Sequence, residues 1–282
     1  MEIINRIPRM TSIARELRSD GRRIGLVATR GALHEGHLSL MGRAREMCDA
    51  AIVSILAHPP SVNGSEQRDI DLARDAELAF TRGVDFIFAP AVEDVFADGF
   101  ATYVTVEDLS DKLEGVSLPG YFRVVTTTAN KLLNIVRPHF AFLGRKDAQQ
   151  VIIVKRMVRD LAADVEIVVC PTVREEDGLA LSSVNINLST QERKAAVVLR
   201  RALERCQSLY NGGERDSSRL IASMRSVIEA EPLARIDYVA ITDTDRLDPL
   251  DAIPAASPTL VSMAVYIGAT RLTDNIVLNG EL

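Results

Sequence analysis

The chain has 282 residues, with 33 Lys+Arg against 39 Asp+Glu, and its formal net charge is −6 at pH 7. A content of 47% hydrophobic and 26% charged residues excludes disorder as the main state. Mild acidity and the lack of Trp do not favour nucleic-acid binding, and no apolar run reaches the roughly 18–20 residues of a membrane span. Three widely spaced cysteines, no Cys-x-x-Cys pair and no signal-peptide pattern lead us to expect a cytoplasmic protein without a zinc site.

Up to about residue 175, short apolar runs alternate with amphipathic stretches. The runs predict buried strands at Ile24–Thr29, Ala51–Leu56, Val84–Phe88, Phe140–Leu143 and Val165–Val169. The stretches predict helices at Leu38–Met47, Asp71–Thr81, Thr126–Ile135 and Ala148–Leu161. Strand and helix in alternation predict a doubly wound, Rossmann-like α/β domain. Such parallel sheets bind ligands beyond the carboxyl ends of their strands.

The pattern changes after about Asn185. Ser189 or Thr190 is expected to cap a helix through Arg193–Gln207, and the glycines at 212 and 213 should end it. A second helix, Ser217–Ala230, and three strands are predicted, the strands at Asp237–Ile241, Thr259–Ile267 and Thr270–Asn275. We therefore expect two domains, 1–184 and 185–282, the second a smaller α+β domain.

The segment from Ala28 to Leu40 leaves the first long strand and enters a helix. His34 and His37 are three residues apart, so both imidazoles can face one way in the first helical turn. Backbone N–H groups and the helix dipole favour an anion there, and two imidazole donors suit a triphosphate. The alternatives are a surface loop with incidental histidines and a metal pair, although no further Cys or His lies near in sequence.

Two later segments also follow predicted strands. In Leu143–Gln150, Lys146 offers a charge to phosphate and Asp147 can accept from ribose hydroxyls; a plain helix start is an equally good interpretation. In Pro171–Asn185, a glycine precedes the paired Ser182 and Ser183, whose loop could close over phosphates. The alternative for this segment is an ordinary interdomain loop.

The motifs in this order resemble the pantoate–β-alanine ligase (pantothenate synthetase) family of the HIGH-type nucleotidyltransferase superfamily. The resemblance covers nearly the whole length, through GALHEGHLSL, FAPAVEDVF, LPGYFRVV, GRKDAQQ, PTVREEDGLALSS and GATRLTDN. It implies an ATP-dependent acid–amine ligase that forms an acyl adenylate, releases pyrophosphate and then transfers the acyl group to an amine such as β-alanine. It also implies a homodimer, Mg²⁺ that travels with ATP, and a C-terminal domain that acts as a lid.

The resemblance also implies roles for individual residues. His34 and His37 would stabilise charge on the phosphates, Gly36 would pack under the adenosine, and Gln150 would contact the acid. The implied ATP-binding set is Thr29, Gly31, His34, Gly36, His37, Gly144, Lys146, Asp147, Val173, Leu181, Ser182 and Ser183. The catalytic members of that set would be His34, His37, Lys146, Ser182 and Ser183.

The chain departs from the family pattern mainly on the side of the acid substrate. Ala28–Gly31 stands where the family reads Pro-Thr-Met-Gly, and Leu56–Val62 stands where it reads Phe-Val-Asn-Pro-x-Gln-Phe. Three single changes are Tyr121 for the usual histidine, Val124 for the usual glycine and Val184 for the usual arginine. The expected acid-binding set is Arg30, His58, Ser61 and Gln150. These departures leave two alternatives open: a ligase acting on another acid, and a nucleotide-binding homologue with weak or no turnover.

Overall fold

Six parallel strands form one sheet in the computed structural model, which describes residues 1–57 and 71–282. The strands are β1 (Glu2–Ile4), β2 (Ile24–Thr29), β3 (Ala50–Ile55), β4 (Phe86–Phe88), β5 (Phe140–Gly144) and β6 (Glu166–Cys170). They lie in the order β1-β4-β3-β2-β5-β6. All six residues of β3 are buried, which matches a central strand covered on both faces.

The helices that lie between these strands in sequence differ in length and in their surroundings. Their bounds are α1 (Ile7–Ser19), α2 (Glu35–Met47), α3 (Leu72–Thr81), α4 (Val92–Val95), α5 (Glu114–Ser117), α6 (Tyr121–Val136) and α7 (Ala148–Asp160). Alternate strand residues separate the two faces of the sheet. Val27 and Val53 lie in the core formed with α2 and α3, whereas Leu26 and Ile52 lie in the core formed with α1 and α6.

The order of the strands reverses beside β2. The chain adds β3 and β4 on one side of β2 and then places β5 on its other side, with Val27 opposite Phe142. Ligands of open α/β sheets bind beyond the carboxyl ends of the strands at such a reversal. Thr29 ends β2 and Gly144 ends β5, so two of the candidate segments begin at this edge.

The C-terminal region contains a second, antiparallel sheet. Its strands β7 (Ala234–Asp243), β8 (Thr259–Ile267) and β9 (Thr270–Leu278) pair in chain order. Helices α8 (Thr190–Ala195), α9 (Val198–Asn211) and α10 (Ser217–Glu229) precede it. Buried side chains of α9 and α10, such as Leu203 and Met224, share one apolar core with Met263 of β8. The predicted fold class, a doubly wound α/β sheet with a smaller α+β part, is confirmed.

The described chain forms two compact units with interleaved segments. The first consists of 1–110, 118–144 and 153–171, and the second of 111–117, 145–152 and 172–282. The second unit thus begins earlier in the chain than the predicted boundary between Val184 and Asn185, and it includes two short segments from before that boundary. Division of the protein into the domains 1–184 and 185–282 stays a prediction.

Several element predictions need correction. The single helix predicted over Arg193–Gln207 is two helices, α8 and α9, because the Leu199 N–H bonds to the Ala196 carbonyl three residues back (3.2 Å). Ser189 does cap α8, in a capping box with Glu192. The sequence analysis missed β1 and α1, and the first turn of α6. In the described ranges, no helix has the length and apolar character needed to span a membrane.

Candidate active site

The turn that leaves β2 is tightly bonded. Thr29 Oγ1 donates to the Ser54 carbonyl (2.8 Å) on the neighbouring strand and accepts from the Gly31 N–H (3.4 Å). Gly31 and Ala32 both have positive φ, 82° and 52°, and the backbone bends at Gly31. A glycine meets this requirement without the strain that an L side chain brings. The turn delivers His34 directly to the start of α2.

His34 is the N-cap of α2 and not a residue of its first turn. Its Nδ1 accepts a hydrogen bond from the Gly36 N–H at 3.1 Å. A ring nitrogen that accepts carries no proton, so the other nitrogen, Nε2, bears the hydrogen and acts as a donor. The ring of His37 lies 4.1 Å from that of His34, centroid to centroid, with a tilt of 38°. The predicted pair is therefore brought together, at a helix N-terminus that favours anions.

Gly36 makes this capping arrangement sterically feasible. A Cβ at position 36 would lie 2.8 Å from His34 Cε1 and 3.0 Å from His34 Nδ1. Such distances are below van der Waals contact, so any side chain would displace the imidazole. The sequence interpretation gave Gly36 a place under a nucleotide; the contact seen in this structure is with His34.

A buried carboxylate fixes the residue before the histidine. Asp75 of α3 has a side chain that is 1% exposed, and its Oδ1 accepts from the Leu33 N–H at 2.8 Å. Arg74 lies beside it and donates to both Asp75 Oδ1 (3.5 Å) and the Leu33 carbonyl (3.4 Å). Asp75 therefore anchors the turn that carries His34. The sequence analysis missed this residue, because nothing in a helical pattern marks an aspartate that faces inward.

The second candidate segment, Leu143–Gln150, leaves β5 and continues in a 3₁₀ turn, Arg145–Asp147. Lys146 has a side chain only 20% exposed, and its Nζ lies 3.3 Å from Asp147 Oδ1 and 3.4 Å from Thr273 Oγ1. The Asn275 amide donates from Nδ2 to two carbonyls of the turn, those of Arg145 (3.0 Å) and Lys146 (2.7 Å). Thr273 and Asn275 both belong to β9. The predicted Lys146 and Asp147 therefore lie together, supported by a strand more than a hundred residues later in the sequence.

The two glutamines at the start of α7 differ in their surroundings. Gln149 is buried, its Oε1 accepts from the Glu114 N–H (3.0 Å), and its Nε2 donates to the Lys112 carbonyl (2.8 Å). Both ends of its amide thus bond to the segment 111–117. Gln150 is half-buried and keeps its candidate role toward a polar substrate.

The third segment forms a small hairpin. The Leu181 N–H bonds to the Val173 carbonyl at 3.0 Å, and Arg174 bridges Ala180 in antiparallel fashion. The turn passes through Gly178, with φ of 90°. Val173 and Leu181, both predicted to bind ATP, are therefore direct neighbours. Ser182 and Ser183 follow, half-buried, at the start of the 3₁₀ turn Ser183–Asn187.

Ion pairs hold both ends of this hairpin. Arg174 forms a two-bond pair with the buried Asp274 (2.7 and 2.9 Å) and also donates to the Gly178 carbonyl (2.9 Å). Arg193 binds Glu175 and Asp177, and its hydrogen bonds hold the pKa of the Asp177 carboxyl below its usual range. The hairpin is thus held through Arg174 on its first strand and through Asp177 in its turn.

The structure describes only some of the remaining residues that the sequence analysis singled out. Val184, at the position of the family arginine, packs against the apolar core of the second unit. Arg30 is exposed. His58, Ser61 and the altered Val62 lie outside the described residues. Across the ranges 1–57 and 71–282, no group of three or more His, Cys, Asp or Glu is arranged to hold a metal ion.

Comparison with known proteins gives a consistent result. The pantoate–β-alanine ligase family profile matches residues 2–277. The pantothenate synthetase of Pelotomaculum thermopropionicum is 50% identical over 285 residues, covering 100% of both chains, and that of Heliobacterium modesticaldum is 49% identical over 281 residues, covering 99% of each.

Solved structures agree in fold over the same length. The pantothenate synthetase of Thermus thermophilus superposes with a TM-score of 0.89 at 37% identity, covering 98% of this chain and 99% of its own. The Francisella tularensis pantoate–β-alanine ligase gives a TM-score of 0.79 at 31% identity, with 98% and 97% coverage. Its crystal structure is of a complex with β-γ ATP and β-alanine.

Proposed function

Because the chain belongs to the pantoate–β-alanine ligase family, whose members are ligases, we propose that it joins D-pantoate to β-alanine with ATP as the energy source. The observation that carries the proposal is the His34–His37 pair, held at the N-terminus of α2 immediately after a central strand. Two imidazole donors at a helix N-terminus suit the charge of a triphosphate.

The reaction proceeds in two half-reactions. A carboxylate oxygen of pantoate attacks the α-phosphorus of ATP, the bond to the β-phosphate oxygen breaks, and pyrophosphate leaves. The neutral amine of β-alanine then attacks the acyl carbon of the resulting adenylate. AMP departs with the electron pair of the acyl–oxygen bond, and the amine loses a proton as the amide forms.

The two histidines contribute charge stabilisation. His34 donates from Nε2, since Gly36 occupies its Nδ1, and His37 supplies a second imidazole close by. Donors that are already oriented stabilise developing negative charge at the α-phosphate without reorganising during the step. Thr29 and Gly31 shape the turn that presents this pair.

The other members of the proposed ATP-binding set belong to the two later segments. Lys146 neutralises phosphate charge, and Asp147, with Gly144 at the end of β5, holds the ribose hydroxyls. Ser182 and Ser183 donate to phosphate oxygens from the base of the hairpin, whose pairing of Val173 with Leu181 sets their position. Hydroxyls and an ammonium group are donors that phosphate oxygens can accept from.

On the acid side, we assign Gln150 to the substrate hydroxyl or carboxylate, and Arg30, His58 and Ser61 to the remainder of the acid site. A divalent cation bound with ATP would withdraw charge from its phosphates. We propose that Mg²⁺ enters the site as MgATP.

The test measures products with purified protein, MgATP, D-pantoate and β-alanine. We expect pantothenate, AMP and pyrophosphate in equal amounts, and an absence of product would overturn the proposal. Pantoate labelled with ¹⁸O in its carboxylate should transfer one labelled oxygen to AMP, because the attacking oxygen stays bound to phosphorus when the acyl–oxygen bond of the adenylate breaks. Unlabelled AMP would exclude the acyl adenylate.

A panel of other hydroxy acids, offered in place of D-pantoate, tests the acid. We expect D-pantoate to give the highest kcat/KM, and a preferred second acid would transfer the proposal to that substrate.

We also propose a homodimer in the cytoplasm. Light scattering that gives only the monomer mass at micromolar concentration would contradict the dimer.

A further inference from the structure

Strand β9 carries three consecutive polar residues, although Leu272 and Leu278 of the same strand belong to the apolar core shared with α9 and α10. The polar residues are Thr273, Asp274 and Asn275, and the last two are 2% and 4% exposed. Burial of polar side chains costs stability unless they are hydrogen-bonded, so residues of this kind require a specific reason.

Alternation along the strand sends these side chains to opposite faces. Thr273 and Asn275 share one face and contact the turn Arg145–Asp147. Asp274 points to the other face, where it pairs with Arg174 of the hairpin. A single short stretch of β9 therefore contacts two of the segments that the proposed function assigns to ATP.

The Asn275 contacts are directional. Its Nδ2 group donates to two successive carbonyls, of Arg145 and Lys146, which fixes the amide orientation because only the nitrogen can donate. Thr273 adds a contact to the Lys146 ammonium group itself, at 3.4 Å. The backbone and the side chain of Lys146 are thus both held by β9.

We infer that Asn275, assisted by Thr273, is a positioning residue that sets the place of Lys146 for the phosphates of ATP. This inference rests on the proposed function. Asn275 touches no reacting atom; it acts through the Lys146 turn. A misplacement of about 1 Å of a charge-stabilising group can cost about 10²-fold in rate. Removal of the two hydrogen bonds from Asn275 should therefore weaken ATP binding and lower the rate of the reaction.

The test compares Asn275→Ala with a matched control, Asn279→Ala. Asn279 lies one residue beyond β9, donates from its side-chain amide to the Pro254 carbonyl (2.6 Å) and accepts from the Tyr210 hydroxyl, away from the ATP segments. We expect Asn275→Ala to raise the Kd for MgATP about 10- to 100-fold, the scale of losing one hydrogen bond between the charged Lys146 and a phosphate. Asn279→Ala should leave that Kd within about twofold even if it lowers the melting temperature as much.

A double-mutant cycle separates positioning from general damage. In a Lys146→Ala background, Asn275→Ala should have almost no further effect on the Kd for MgATP or on kcat/KM, because the group it positions is gone. Equal effects of Asn275→Ala in both backgrounds would overturn the inference. Should Asn275→Ala not fold, Thr273→Val decides: we expect a two- to tenfold rise in Kd, about the range of one net hydrogen bond, again only when Lys146 is present.

Calorimetric measurement of MgATP binding distinguishes a failure of this inference from a failure of the proposed reaction. A wild-type protein that binds MgATP but makes no pantothenate would refute the proposed reaction, while its variants would still report on positioning. A wild-type protein that binds no MgATP would overturn both. Unchanged MgATP affinity in both Asn275→Ala and Thr273→Val would overturn the inference alone.

Discussion

The imidazole of His34 occupies the space that a side chain at Gly36 would need, since a Cβ there would lie 2.8 Å from His34 Cε1. The ring caps α2 through the Gly36 N–H. The glycine of the sequence motif is thus explained by an intramolecular contact, before any ligand is considered. The relationship can be tested directly.

Gly36→Ala should displace the His34 ring and reduce kcat/KM by about 10²-fold, the cost expected of a group moved by about 1 Å. Gly42→Ala is the control, because it lies in the same helix with nothing within 4 Å of its added Cβ. We expect Gly42→Ala to stabilise the protein by about 0.5–1 kcal/mol with unchanged activity. Steady-state kinetics and urea unfolding measure both; full activity of Gly36→Ala would contradict this role.

His34→Asn separates helix capping from charge stabilisation. Asparagine is among the best N-cap residues, so the free energy of unfolding should change by less than about 1 kcal/mol. The Nε2 donor is lost, and we expect kcat to fall about 10²–10³-fold, as for the loss of one oriented donor. ATP–pyrophosphate exchange with pantoate measures the proposed first half-reaction. An unchanged exchange rate in both His34→Asn and His37→Ala would remove the pair from the mechanism.

Asp75 should stabilise the turn before His34 through its bond to the Leu33 N–H. Asp75→Leu leaves that buried donor without its acceptor and should cost about 1–3 kcal/mol in the free energy of unfolding. Asp75→Asn keeps an oxygen that can accept, so a smaller loss is expected. Denaturant unfolding of the two variants provides the comparison, and equal losses would show that the acceptor is irrelevant.

The three cysteines should be unreactive in the folded protein. Cys48, Cys170 and Cys206 are buried free thiols, and burial raises the pKa of all three, that of Cys206 to about 11. Only the thiolate reacts with a disulfide reagent, and a thiol of that pKa is about 0.1% ionised at pH 8. Titration should find close to no reactive thiol in buffer and three in guanidinium chloride. Rapid native labelling would disprove the burial.

Acid should weaken the fold partly through His139. Its Nδ1 accepts from the Ile24 N–H at 2.9 Å, and burial, followed by the charge of Arg18, lowers its pKa. A pKa below the unfolded value of about 6.5 means that the unfolded chain binds the proton more readily, so this contribution is complete above about pH 6.5. It is lost as pH falls through the folded pKa. His139→Asn, whose oxygen can replace Nδ1, should show a smaller fall in melting temperature between pH 7 and pH 5 than the wild type.

Much of the fold could be predicted because its causes are local. The continuous apolar runs of β2 and β3 reflect strands buried on both faces, and Ser189 with Glu192 is a capping box readable from spacing. The break between α8 and α9 could not be predicted, because no proline or glycine marks it. The three-residue β1 is too short to show the hydrophobic pattern by which a strand is recognised in a sequence.

Some residues of the candidate site could likewise be predicted from the sequence, and others could not. The residue types that stand after the strands can be read from the chain alone, and they placed His34, His37 and Lys146 among the candidates. The folded structure was needed to show that Asp75 anchors the first turn and that Asn275 anchors the second, 129 residues away along the chain. Local periodicity records which face of an element is buried, but a hydrogen bond between distant segments depends on how the chain returns to itself, and no spacing along the sequence encodes that return.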